Sequence, residues 1–358
     1  MKKINENKFW QELVSEFYTQ GQFNQESYNC LNAFLECPEI IAIQQTKDLD
    51  EDECNRRKNK IFELLDVQKQ CDKKRKYRAG NNSPGHSQVE KYDEKQEKYI
   101  SEFMKKCAVY LILQKKCQDI GDELFRIQDT QMKYDRYGKY RKYRNADLGA
   151  HTPSPVIDLI VGNMKRGEFY KRKPIKMDHV FRFKYREDGN LISAFLYLKE
   201  KPRYFCSVLY FGRYIFYLKY SVVGMLEEDI SFLSYLYIIK YEKNKPEYLE
   251  KVNCISDSMI ASIEREHYIY KDNFLNKWVW ERYLFPEKGL GIEEGKFCQN
   301  LFTIEYDKNG CIYGYTLGQD LDQKKMISSQ NICHIQRGKC SDTGKNAMRW
   351  KYPPTYFD

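Results

Sequence analysis

Residues 180–192 read Val-Phe-Arg-Phe-Lys-Tyr-Arg-Glu-Asp-Gly-Asn-Leu-Ile, and this stretch indicates the fold of the C-terminal half. Phe181, Phe183 and Tyr185 fall on one face of an extended chain, with basic residues between them, because side chains alternate along a β-strand. The pair Asp188-Gly189 then takes the positive φ of a tight turn at little cost, and an apolar run follows. The stretch therefore predicts an antiparallel β-hairpin.

Further short runs of β-branched and aromatic residues follow at roughly ten-residue spacing, which is typical of an all-β domain. They cover residues 191–198, 204–210, 214–220, 232–241, 248–254, 260–270, 278–284, 301–306 and 312–317. Turn signals rather than helical crossovers join them, and this favours an antiparallel meander.

The first 145 residues have the apolar spacing of amphipathic helices instead. Phe9, Trp10, Leu13, Val14 and Phe17 make one stripe, residues 61–67 a second, residues 90–117 a third, and Leu124, Phe125 and Ile127 a fourth. Asp48 and Asp50 precede the second stripe, where carboxylates cap a helix N-terminus. Four or five helices are predicted.

The helical pattern stops between Lys133 and Pro155, where two prolines oppose a continuing helix. We therefore predict an α+β protein with an N-terminal helical domain at residues 1–150. A tyrosine-rich antiparallel β-sheet (meander) domain follows at residues 151–320, and residues 321–358 form an irregular C-terminal tail.

The composition is that of a soluble globular protein: 358 residues, 42% hydrophobic and 31% charged. Its 12 cysteines are too few for a disulfide scaffold, so free thiols are expected. The basic start, Met1 to Lys8, lacks the apolar stretch of a signal peptide, and the apolar run Ile230 to Ile239 is too short to span a bilayer. We expect a cytoplasmic protein without membrane contact.

Motifs for metal, phosphate or catalysis are incomplete. The segment Asp48 to Asp52 has calcium-loop carboxylates, but Glu53 stands where glycine is required. Cys333, His334 and Cys340 form the nearest approach to a zinc cluster, without any Cys-x-x-Cys pair. The five histidines lie in no catalytic motif. The sequence therefore predicts no enzyme, no cofactor and no metal, although nucleophilic constellations need not be local in sequence.

Three basic patches support nucleic-acid binding as the alternative function. Residues 73–78, 139–144 and 165–173 are rich in Lys and Arg, with tyrosines that could stack on bases. The net charge of +9 is nevertheless spread over both halves, so an acidic protein partner explains the patches as well.

One pattern recurs in the β half. Phe183 to Leu191 and Ile304 to Ile312 share the form apolar-x-Tyr-x-x-(Asp/Asn)-Gly-x-apolar, and Tyr241 to Pro246 and Tyr270 to Asn273 look like degenerate copies. The pattern resembles the YD-type strand–turn units of Rhs-like proteins. It is closer to the tyrosine-rich β domains of immunity proteins encoded beside polymorphic toxins in low-GC Gram-positive bacteria. The resemblance, over about residues 153–317, implies a non-enzymatic cytoplasmic antidote that binds and neutralises one toxin domain, and the positive net charge favours a toxin with an acidic or neutral surface.

Tyrosine is unusually frequent, with 30 residues against 20 phenylalanines, and suits either a one-sided sheet or a partner-binding surface. Binding surfaces combine such rigid aromatic side chains with arginine. Two candidate partner sites follow. The first, the linker patch, contains Tyr137, Tyr140, Arg141, Tyr143 and Arg144, and the second, the sheet patch, contains Tyr204, Tyr210, Arg213 and Tyr214, followed by Tyr217.

Overall fold

The architecture is seen in a computed structural model that describes most of the helical and β segments. The described residues are 3–45, 47–63, 94–130, 134–139, 179–185, 191–198, 201–223, 230–242, 245–256, 259–271, 274–285, 296–306 and 312–318.

The described residues contain five helices. They are α1 (Glu6–Thr19), α2 (Gln25–Leu35), α3 (Pro38–Gln44), α4 (51–63) and α5 (Glu94–Thr130). Side chains cap several of their N-termini: Asn5 Oδ1 accepts from the N–H groups of the first turn of α1, and Asp50 Oδ1 accepts from Glu53 N–H at 2.8 Å in α4. The predicted capping role of Asp50 is confirmed, whereas Asp48 lies in a two-residue strand.

α5 is one helix of 37 residues where the sequence pattern indicated two successive segments. Gly121, in its last third, allows the helix to approach the sheet closely. A Cβ atom at this position would lie 2.9 Å from Cε1 of Tyr220, and the Tyr220 hydroxyl donates to the carbonyl of Cys117, one turn earlier, at 2.8 Å. A small residue at this position therefore permits the close contact between α5 and the sheet.

Eleven strands form a single antiparallel sheet in the order in which they occur along the chain. They are β3 (Tyr134–Lys139), β4 (His179–Tyr185), β5 (Leu191–Leu198), β6 (Lys201–Phe211), β7 (Tyr214–Val223), β8 (Ile230–Glu242), β9 (Lys245–Ser256), β10 (Met259–Lys271), β11 (Phe274–Leu284), β12 (Lys296–Tyr306) and β13 (Ile312–Gly318). A second, minimal sheet pairs β1 (Ile4–Asn5) with β2 (Asp48–Leu49). The predicted α+β class and the antiparallel meander are both confirmed.

The four predicted hairpins are present. Tyr185 pairs with Leu191 and Tyr306 with Ile312, on either side of the two Gly-containing segments, which lie outside the described residues. The two degenerate copies join β8 to β9 and β10 to β11. The strands on either side of each of these four segments therefore pair with each other, as the pattern predicted.

The core lies between the helices and one face of the sheet, which we call the inner face. Helical residues such as Trp10, Phe34 and Leu113 pack there with sheet residues such as Phe216 and Ile238, all of them buried. The rings of Phe34 and Phe216 meet edge to face, with centroids 5.1 Å apart. One hydrophobic cluster thus spans both halves of the chain. None of the described helices is long and apolar enough to cross a bilayer.

Candidate functional site

The face of the sheet opposite the helices, the outer face, carries an unusual line of polar and aromatic side chains. Strand register places Tyr217, Tyr237, Lys251, Glu264 and Arg282 directly opposite one another across β7 to β11. We call this line the central row. Cross-strand neighbours in such a row have Cβ atoms about 5 Å apart, so the five side chains are in reach of one another. Tyr217 is buried, and the other four are partly exposed.

Charges in the central row are paired. Lys251 Nζ lies 3.2 Å from Glu264 Oε1, and Arg282 Nε lies 3.5 Å from the same oxygen. Next to the row, the ring of Tyr235 has Lys219 Nζ at 5.3 Å and Lys251 Nζ at 5.2 Å from its centroid. Two ammonium groups from the strands on either side of β8 therefore interact with one aromatic ring.

Glu266 lies on β10 two residues after Glu264, on the same face of the sheet and between apolar residues of the two adjacent strands. Its register partners are Leu249 on β9 and Trp280 on β11, and its Oε2 accepts a hydrogen bond from the Tyr268 hydroxyl at 2.7 Å. Burial raises the pKa of Glu266 to about 8, and the negative charge of Glu264 adds to this, while the Tyr268 hydrogen bond opposes it. At neutral pH the carboxyl is therefore mainly protonated, and a perturbed carboxyl of this kind marks a candidate functional site.

A buried ion network on the inner face holds the two strands that carry these residues. Lys106 Nζ of α5 lies 2.7 Å from Glu250 Oε1, and Arg265 Nη2 lies 2.7 Å from the same oxygen. Burial would raise the pKa of Glu250, but the two cations outweigh burial and lower it to about 2. Because side chains alternate, fixing Glu250 and Arg265 inward directs Lys251 on β9 and the two neighbouring carboxyls on β10 outward.

Six cysteines have side chains that the structure describes, and all six are buried. Cys30, Cys37, Cys54, Cys117, Cys206 and Cys254 are buried and free. Burial raises the pKa of each of these thiols, so they remain protonated at neutral pH and are poor nucleophiles.

Most of the linker patch lies outside the described residues. This is the case for Tyr140, Arg141, Tyr143 and Arg144, and for nearly all of the three basic patches. Tyr137 lies on β3, where it pairs with Arg182 of β4.

The sheet patch is divided between the two faces of the sheet. Register places Tyr210 and Tyr217 on the outer face, where Tyr210 is half-buried and Tyr217 is buried. Tyr204 lies on β6, where it pairs with Ser221 of β7. Tyr214 lies on the inner face, beside Phe216, and is buried. Arg213 is exposed in the turn between β6 and β7, so the structure does not bring all the members of this patch together.

Sequence reasoning missed the charged residues of the outer face. Glu264 and Glu266 lie two apart in a segment predicted as a strand, which places two carboxyls on one face. From the sequence alone, this spacing could have predicted a pair of neighbouring carboxyls on one face of the sheet. Their partners Lys251 and Arg282 are on other strands, and only the register brings them together.

The metal motifs have no counterpart in the described residues, among which no group of three or more His, Cys, Asp or Glu side chains could hold an ion. Cys333, His334 and Cys340 lie outside the described residues.

Comparison with protein-family models, curated proteins and solved structures found no match to this chain.

Proposed function

We propose that this protein acts by binding another protein through the outer face of its sheet, and that the partner is a bacterial toxin domain which it neutralises. The observation that supports the proposal is the central row, in which the partly exposed Tyr237 stands opposite Lys251 and the row ends at Arg282. The toxin assignment rests on the resemblance of the hairpins to those of immunity proteins.

The composition of the outer face suits a protein interface. Tyr235 and Tyr237 are partly exposed, and Arg282 has 36% of its side chain accessible. Tyr, Trp and Arg dominate interface hot spots because they bury large areas at a low entropic cost. The inner ion network ties β9 and β10, the two strands between β8 and β11, to each other and to α5.

The test is a binding and protection experiment with the product of a toxin-like gene beside this one. The full chain is co-expressed with that toxin, and the affinity of the purified pair is measured by calorimetry. Replacing Tyr235 and Tyr237 together by alanine should weaken binding at least tenfold, or about 1.4 kcal/mol. The control replaces Lys8 and Glu12, an exposed ion pair on α1, and should leave the affinity unchanged.

A second variant, Arg282→Gln, keeps the test decisive if the tyrosine variant does not fold. Growth protection by the wild type that is lost in either folded variant supports the proposal. Absence of a toxin-like neighbour, or failure of the wild-type protein to protect, overturns the toxin assignment. Full affinity in both folded variants overturns the outer face as the binding site.

A further inference from the structure

A buried ion cluster joins α1, α4 and α5 in the helical half of the chain. Glu6, the first residue of α1, accepts three hydrogen bonds at its Oε1 atom. The donors are Trp10 Nε1 at 3.2 Å, Arg57 Nη1 of α4 at 3.0 Å and Lys116 Nζ of α5 at 2.8 Å. Lys116 Nζ also lies 4.7 Å from the centroid of the Trp10 ring. We call these four residues the helix cluster.

Within the helix cluster, Lys116 is the cation most fully removed from water. Its side chain is 1% exposed, whereas Arg57 keeps 18% of its side chain accessible. Arg57 also has a second carboxylate partner, Glu53, whose Oε1 lies 2.6 Å from Arg57 Nε. Lys116 shares a single oxygen of Glu6 with two other donors. An ammonium group in this position loses its hydration without gaining a carboxylate of its own, so the site disfavours the charged form of Lys116.

The other charged groups around Lys116 change this balance little. Asp119, on the next turn of α5, favours the ammonium form, but its Oδ1 is already paired with Lys115 Nζ at 2.6 Å. Farther along α5, Glu123 is paired with Lys47 at 2.7 Å. These carboxylates are therefore shared with cations that lie nearer to water than Lys116 does.

The proton affinity of Lys116 agrees with this geometry. Burial lowers the pKa of Lys116 from 10.5 to about 8, and the charge of Arg57 acts in the same direction, while Glu6 and Asp119 oppose the shift. Both the charged and the neutral form are thus accessible near neutral pH.

We propose that Lys116 is a proton-controlled latch between α5 and the N-terminal helices, closed when its amine is neutral and loosened when its amine is charged. Opening the helix cluster to water relieves the cost of burying an ammonium group, so the charged form favours undocking of α1 and α4 from α5. Undocking exposes apolar side chains of α1 that are now fully buried, such as Trp10 and Phe17. The latch lies in the helical half and does not depend on the function proposed for the outer face.

The size of the effect follows from the two proton affinities of the amine. In the open form, the water-exposed amine of Lys116 has its ordinary pKa of 10.5, and in the docked form its pKa is about 8. The open form therefore binds the proton more tightly, and its population falls as the pH rises. For these two values, the open fraction falls about tenfold between pH 7 and pH 9.

Backbone hydrogen exchange of the purified full chain measures this opening at pH 7 and pH 9, under conditions in which exchange follows the opening equilibrium. Rates are compared between proteins at one pH, so that the intrinsic exchange chemistry cancels. Lys116→Met removes the charge at both pH values, and Lys116→Arg keeps a charge at both. The control is Lys115→Met, which removes the neighbouring lysine, 29% exposed and paired with Asp119.

For the amides of α1 and α4, the ratio of the exchange rate in the wild type to that in Lys116→Met should fall at least fivefold from pH 7 to pH 9. The ratio of Lys116→Arg to Lys116→Met should stay constant, because neither side chain titrates in this range. Lys115→Met should exchange within twofold of the wild type at both pH values. These results together would support the latch.

A ratio of wild type to Lys116→Met that is the same at both pH values, or that rises with pH, would overturn the inference. An equal change in the amides of β7 to β9 would also overturn it, because the proton would then control the stability of the whole protein. Glu266 is present in every protein compared, so its titration does not enter the ratios. If Lys116→Met does not fold, the ratio of Lys116→Arg to the wild type decides instead, since it should rise at least fivefold and a constant value would overturn the latch.

Discussion

Glu266→Gln offers a quantitative test of the site because glutamine keeps the shape of the side chain and removes its titration. The raised pKa means that the folded state binds a proton more tightly than the unfolded state does. The resulting stabilisation is fully present below pH about 4.5 and is lost as the pH rises through about 8. The variant should therefore match the wild type near pH 5 and be more stable than it above pH 8.

The expected difference in unfolding free energy follows from the size of the pKa shift of Glu266. At about 1.4 kcal/mol for each tenfold change in proton affinity, moving the pKa from 4.5 to about 8 corresponds to at most about 5 kcal/mol. Solvent reaches part of this side chain and screens the effect, so we expect a difference of about 2 kcal/mol between the two proteins at pH 8.5.

Urea denaturation followed by tryptophan fluorescence, at pH values between 5 and 8.5, measures this difference. Lys116, whose burial lowers its pKa to about 8, titrates in the same range in both proteins, so only the difference between wild type and variant is diagnostic. Glu12→Gln, on the exposed face of α1, serves as a control, and its difference in unfolding free energy from the wild type should not change with pH. The reasoning would be refuted if the stability difference between Glu266→Gln and the wild type did not change with pH, or if the variant became the less stable protein at high pH.

Three further substitutions test how the helices hold the sheet, each by its free energy of unfolding in urea. Gly121→Ala places a Cβ atom 2.9 Å from the Tyr220 ring and should destabilise the protein by about 1–2 kcal/mol, and a gain in stability would contradict the close approach. Tyr220→Phe removes the hydrogen bond to the Cys117 carbonyl and should cost about 1 kcal/mol, so an unchanged value would show that this bond contributes nothing. Glu250→Ala removes the buried carboxylate that Lys106 and Arg265 share and should cost about 3–5 kcal/mol, and a loss below 1 kcal/mol would mean that the network relaxes into water.

Much of the fold could be predicted from short stretches of the sequence. The alternation in residues 180–192 and the turn signals Asp188-Gly189 and Asn309-Gly310 predicted hairpins, and the flanking strands do pair, because strand period and turn preference act over a few residues. A chain of such hairpins makes a meander, so the α+β class followed from the sequence. The helix stripes around Trp10 and Ile61 were equally legible, since each is the buried face of an amphipathic helix.

The candidate site could not be predicted from local sequence patterns, because its residues lie on five different strands. Irregularities of register, such as those beside Lys219, Ile260 and Ile269, decide which residues stand opposite one another, and each shifts the pairing without a clear local signal. Only the assembled sheet therefore aligns Lys251 with Glu264.

The amino-acid sequence by itself determined the secondary-structure classes and the strand connections, which depend on interactions between near neighbours. Tertiary structure alone decided that α5 runs unbroken past Gly121 against Tyr220, and that the buried pair Glu250 and Arg265 turns its neighbours outward. It also decided that Glu266 stands between Leu249 and Trp280 of the adjacent strands. These features depend on burial and on contacts between residues distant in sequence, and their energies exist only once the chain has folded.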